Sequence, residues 1–180
     1  EEEREILDGR TEIDKTRYTE KKDLVVDSKK MLEHGRLIRI RPHTRFVYFP
    51  KHKHNFVEVI YMCQGTTVHI VDGTRVELKE GEILFLNQNA TQEILPAGKD
   101  DIAVNFIILP EFFDTAFQMM GEEENLLREF IVGCLRGDNG YSSYLHFQVS
   151  DVLPVQNLME NMVWTLMNNQ PNKRSINQIT

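Results

Sequence analysis

Cysteine is nearly absent. The chain has two in 180 residues, Cys63 and Cys134, far apart and outside any CxxC spacing. That argues against a disulfide framework and against a zinc ribbon, and reduced thiols suit a cytoplasmic protein. No run of eighteen apolar residues occurs, so no helix of this sequence spans a membrane. No basic, then apolar, then small-residue leader opens the chain. Positive charge is in deficit: 21 Lys and Arg stand against 28 Asp and Glu, a net −7. Phosphate binding needs a basic face, so this surface is not expected to hold nucleic acid by itself. Repeats and low-complexity tracts are missing too. What remains is 41% hydrophobic and 27% charged, the profile of one globular domain with a real core.

The chain divides into three stretches. Residues 1–23 are dense in charge, with only Ile6, Leu7, Ile13 and Tyr18 as anchors, and read as a solvated arm. Residues 24–109 alternate with a period near two. Strands are expected at Leu24–Val26, Leu37–Arg41, Thr44–Phe49, Phe56–Met62 and Thr66–Val71, with a return strand at Arg75–Leu78. Three more follow at Glu82–Leu86, Gln92–Leu95 and Ile102–Leu109. Asp72-Gly73 is the strongest hairpin signal, because both residues tolerate the positive φ of a two-residue turn. Strands this short and this regular predict a mainly β fold, a small antiparallel sandwich or barrel. Residues 110–180 turn helical. Pro110 opens one helix, Leu126 to Cys134 form a second, and Pro154–Asn168 a third, with Val155, Leu158, Met159, Met162 and Leu166 on one face and Trp164 beside them. The chain begins without Met and stops at Thr180, just as Ser175–Ile179 reads as the start of a capped helix, so it is expected to be part of a longer protein.

One constellation carries chemistry. His52 and His54 stand two apart, the spacing that puts both imidazoles on one face of a strand. Glu58 follows, and a carboxylate on an adjoining strand would complete a three-point cluster of the kind that holds divalent metals. The bland alternative is a pair of solvent-facing loop histidines beside Pro50. His69 and His146 stand alone and read as structural. His34 sits beside Gly35 in a turn.

The surroundings add a resemblance. The spacing from His52 through Glu58 to Gly65 resembles the first cupin motif, although Phe46 holds the place of its opening glycine. Gly81 to Gln92 resembles the second, with Asn87 for its proline, Asn89 for its glycine and Gln92 for its histidine. Together with Arg41–Phe46 and the helical tail, the order of these segments resembles the N-terminal effector domain of AraC-type transcription regulators, over residues 30–170 or so. The resemblance implies a cupin-like antiparallel β-barrel (a double-stranded β-helix) at 24–109 and a helical dimerisation segment at 110–180. It also implies a helix-turn-helix DNA-binding domain beyond residue 180. The protein would then be a homodimer that reaches DNA only through that further domain, and not an enzyme. A small effector, a sugar by analogy, would bind inside the barrel. If the cupin register holds, His52, His54, Glu58 and Gln92 form the polar edge of the pocket, with Arg41, His43 and Asn105 on flanking strands; no cofactor is required. The rival reading is a metal-dependent cupin enzyme, an isomerase or dioxygenase, with His52, His54 and Glu58 on the metal and Gln92 or water beside them. Gln is the poorer ligand for first-row metals, which weighs against it.

Overall fold

The computed structural model describes residues 1–19, 24–32, 35–114 and 143–168, with positions 118, 128, 129 and 132. Most of the helix expected through Leu126 to Cys134, all but positions 128, 129 and 132, lies outside the described residues, as does His34.

Among the described residues, ten strands form two five-stranded sheets. The first contains β1 (Val25–Val26), β3 (Phe49–His54), β5 (Thr66–Val71), β6 (Thr74–Lys79) and β8 (Gln92–Ile94). Its order is β1-β3-β8-β5-β6. The second contains β2 (Ile38–Pro42), β4 (Val57–Gln64), β7 (Ile83–Leu86), β9 (Ile102–Ile108) and β10 (Tyr144–Phe147). Its order is β10-β7-β4-β9-β2. All pairings are antiparallel except β1 with β3. The sheets face each other as a jelly-roll sandwich, and no ladder joins them among the described residues.

The β5–β6 hairpin turns at Asp72 and Gly73, with φ of 49° and 81°, as the sequence predicts. β4 explains much of the packing. Ile60 and Met62 join the interior cluster with Leu78, Leu84 and Leu86. Val57, Val59 and Tyr61 face the other way, into a cluster with Phe106 and Met159. Strand alternation sends the two sets to opposite faces, and both faces are buried. The second face is covered by α3 (Leu153–Asn168), which lays Val155, Met159, Met162, Val163 and Leu166 on it. Met159, the buried one of these, contributes about 1.5–3 kcal/mol. Leu158 and Trp164, expected on the packed stripe, are instead 58% and 50% exposed.

Three other expectations change. The strand expected at Thr44–Phe49 begins only at Phe49 and runs on through both histidines. The residues before it form an irregular segment in which Phe46 has φ 68°, a glycine-like backbone kept at the place of the missing cupin glycine. Tyr144–Phe147, within the stretch read as helical, is a strand paired with β7. Residues 1–19 are not a solvated arm. They fold as α1 (Glu2–Leu7) and a 3-10 turn at Lys15–Arg17, and bury Ile6, Ile13 and Tyr18 against Val47, Phe49 and Phe56. The charges of this segment are spent on holding it: Arg10 and Arg17 pair with Glu5, Arg45 pairs with Glu3, and Tyr18 donates to Glu2. A short helix, α2 (Ser28–Met31), capped by the Asp27 carboxylate, brings Met31 down beside Tyr18.

Candidate functional site

β3 brings its two histidines inward by way of a bulge. Phe49 pairs with Ile94 and His52 with Gln92, so β3 spends three residues where β8 spends two. The surplus falls at Pro50-Lys51, where proline has no N–H to give to the ladder. Phe49, His52 and His54 therefore all point inward, and Lys51 and Lys53 are exposed. Their rings run in a file: Phe49 to His52 4.3 Å, His52 to His54 4.8 Å, His54 to Phe56 5.0 Å between centroids.

The His52 Nδ1–H donates to the Pro50 carbonyl at 2.7 Å, which leaves Nε2 as an acceptor. Burial, with the neighbouring His54, pushes the His52 imidazole down to about 3, so it is neutral. His54 Nε2 lies 2.5 Å from Glu58 Oε2. Burial alone would push the Glu58 carboxyl up. The ring of His54, by charge and by hydrogen bond, outweighs this, with His52 and His43 in the same direction, and holds it at about 2. Glu58 comes from β4, and β4 lies in the other sheet from β3. The acid therefore meets the histidines across the sandwich and not from an adjoining strand.

His43 enters from the end of β2 and Asn105 from β9. The His43 Nδ1–H donates to Asn105 Oδ1 at 3.0 Å, and burial lowers the pKa of the ring. Its Nε2, the Nδ1 of His54 and the Oε1 of Gln92 are buried with no hydrogen-bond partner. Arg41, also on β2, is half-buried. One cavity of about 30 Å³, room for two or three waters, is lined by Arg41, His43, His52, His54, Glu58 and Asn105. Tyr18 and Met31 line it from the N-terminal segment, and Phe49, Phe56, Ile94 and Ile107 give it apolar walls.

Six of the seven site residues named from sequence thus share one cavity. Gln92 does not line it. It is fully buried, and its amide donates to His69 Nδ1 at 2.9 Å. The His69 Nε2–H in turn donates to Thr67 Oγ1 at 2.8 Å. His69 is no isolated residue: its ring lies 5.4 Å from that of His43, and burial holds it near 3. Only the β5–β8 register, which brings Val71 opposite Gln92, reveals this. Sequence reasoning also missed Tyr18 and Met31, whose signal was two apolar residues surrounded by charge. His146, read as isolated, lies 3.2 Å from Glu82 Oε1.

The donor set does not suit a metal. His54 Nε2 is spent on Glu58, and the position of a fourth ligand is Gln92, which serves His69. Among the described residues no group of three or more His, Cys, Asp or Glu has the arrangement of a metal site.

Residues 34–118 match the family model of the AraC-like ligand binding domain. This segment is an AraC-like ligand binding domain. Among curated proteins none matches the chain. In overall structure it is similar to apo ToxT from Vibrio cholerae strain SCE256, with a TM-score of 0.49 and 11% identity over 68% of this chain and 45% of that one. It thus spans under half the length of that protein. It is also similar to KdgF from a Halomonas species (TM-score 0.37, 14% identity, 42% of this chain and 73% of that one). A cupin protein from Bacteroides fragilis is a third (TM-score 0.33, 20% identity, 49% and 69%). By that family description, the business of the segment is to bind a ligand. No helix among the described residues is long and apolar enough to cross a membrane.

Proposed function

We propose that the chain is the effector-sensing part of an AraC-type transcription regulator, which takes a small molecule, a sugar in the first instance, into the cavity between its sheets. One observation carries the reading. His43 Nε2 and His54 Nδ1 belong to cavity-lining side chains, are buried, and have no hydrogen-bond partner among the described residues. An unmatched buried polar atom costs about 1–3 kcal/mol, so the fold keeps such atoms where a polar guest meets them. Hydroxyls, which donate and accept, match imidazole nitrogens of either kind.

The signal then leaves the cavity by linkage. Only a ligand that binds one arrangement better than another shifts an equilibrium. Tyr18 and Met31 line the cavity from the N-terminal segment, so a guest held there touches this segment as well as the two sheets. The output goes through α3 to a helix-turn-helix domain beyond residue 180, and the exposed Leu153, Leu158, Trp164 and Met167 on α3 suit a contact with a second copy. The test is hydrogen exchange with and without a saturating sugar drawn from a thermal-shift screen. Protection is expected to change in residues 1–19 or in α3. Unchanged protection in both would refute the coupling.

A further inference from the structure

We propose that the cavity takes a hydroxylated carboxylic acid, such as a sugar acid, with its carboxylate on Arg41 and a hydroxyl on His43. This rests on the effector-sensing reading and adds the chemical class of the effector.

The argument begins with charge. Arg10, Arg17 and Arg45 each have a carboxylate oxygen within 2.5–2.8 Å. Arg41 has none within ion-pair distance among the described residues. Its contacts are the Met31 thioether at 3.1 Å, the Tyr18 hydroxyl at 3.4 Å, and the Tyr18 ring at 5.2 Å from centroid to guanidinium carbon. A thioether is a weak acceptor, and 3.4 Å is a long bond, so most of the five guanidinium donors are unused. Yet Arg41 is half-buried and lines the cavity.

The other charge on the wall is already answered. Glu58 lies 2.5 Å from His54, so it does not serve Arg41. The neighbouring His52 and His43 are held neutral by burial. What the cavity offers a guest is one fork of cationic donors and, beside it, the unmatched Nε2 of His43, with the unmatched Nδ1 of His54 on the same lining. A neutral sugar leaves the fork without its counter-charge. A simple fatty or aromatic acid leaves the imidazole nitrogen unmatched, because with its Nδ1–H given to Asn105 that nitrogen accepts and a carboxylate cannot donate to it. A hydroxy acid satisfies both. Arg41 and His43 stand two residues apart on one face, about 6.7 Å along an extended strand, a span that a short carbon chain covers. The planar guanidinium suits a two-oxygen clasp.

The test uses matched pairs on the whole chain: glycerol and glycerate, arabinose and arabinonate, galactose and galacturonate. Melting temperature and calorimetric affinity are read at neutral pH and low salt. At least one acid is expected to bind about tenfold or more tightly than its neutral partner, and Arg41→Gln to remove that advantage. His43→Ala is expected to weaken the acid while leaving simple acetate unchanged. Neutral sugars that bind as well as their acids, with Arg41→Gln silent, would overturn the acid class and leave the effector-sensing reading standing. No binding by either set overturns both. Should Arg41→Gln fail to fold, the acid-against-neutral comparison on the parent chain decides alone.

Discussion

The hydroxyl of Tyr61 and Oε1 of Gln156 lie 2.8 Å apart, with Tyr61 donating. Through this bond α3 is fixed to β4, the strand whose opposite face carries Glu58. The amide nitrogen of Gln156 is used as well, donating to the carbonyls of Gly81 and Val149 at 2.8 Å. One side chain therefore joins the helix, the sheet, the turn before β7 and the segment leading into α3.

Gln156→Ala removes all three bonds and leaves two carbonyls and a phenol to be satisfied otherwise. A loss of about 1–3 kcal/mol is expected from urea unfolding. Hydrogen exchange should rise in α3 and not in β4 or β9. Uniformly faster exchange across both sheets would show that the residue supports the fold at large and not the attachment of the helix.

Gly81 is the second test of that junction. Its φ is +83°, and a Cβ built there meets the Ser150 backbone at 2.9 Å. Gly81→Ala is expected to cost more than the ~1 kcal/mol of a simple left-handed alanine, because backbone has to move. A variant as stable as the parent would mean that the 150s segment does not rest on this turn.

Inside the cavity, Glu58→Gln and His54→Ala are expected to weaken effector binding by about 1–3 kcal/mol while circular dichroism stays that of the parent. Parent-like affinity in both would move the ligand elsewhere.

Acid should unfold the domain early. His52 and His69 take their proton near 3 in the fold and near 6.5 when unfolded. The unfolded chain therefore binds more protons as pH falls through this window, and stability drops by about 1.4 kcal/mol per pH unit for each histidine. Glu58, held at about 2 against 4.5, acts with the same sign: its contribution is present above 4.5 and is lost toward 2. Urea midpoints measured from pH 7.5 to 4 should fall steadily. His69→Gln should flatten the slope, and a midpoint that does not move over that range contradicts the burial of these rings.

Much of this was legible in the sequence, for identifiable reasons. The Asp72-Gly73 turn and the two faces of β4 follow from local rules of φ and alternation, and α3 begins one residue before its predicted start. That His52 and His54 share one face followed from spacing, whereas Glu58 was expected from an adjoining strand and comes from the other sheet. Tertiary pairing hid the rest. Tyr144–Phe147 is a strand because β7 offers it an edge, which its four residues do not announce. His69 meets Gln92 only through the β5–β8 register. The first nineteen residues looked soluble because charge was counted, whereas Ile6, Ile13 and Tyr18 decide where they lie.

The surplus residue at Pro50-Lys51 has an evolutionary corollary. Lineages that lost one codon there would gain a straight ladder with the same phenylalanine and imidazoles indoors. Lineages that straightened the ladder at full length would turn Lys51 and Lys53 toward the guest chamber and evict both imidazoles. Length variation at this single spot is thus a ready means of recasting what such a chamber admits.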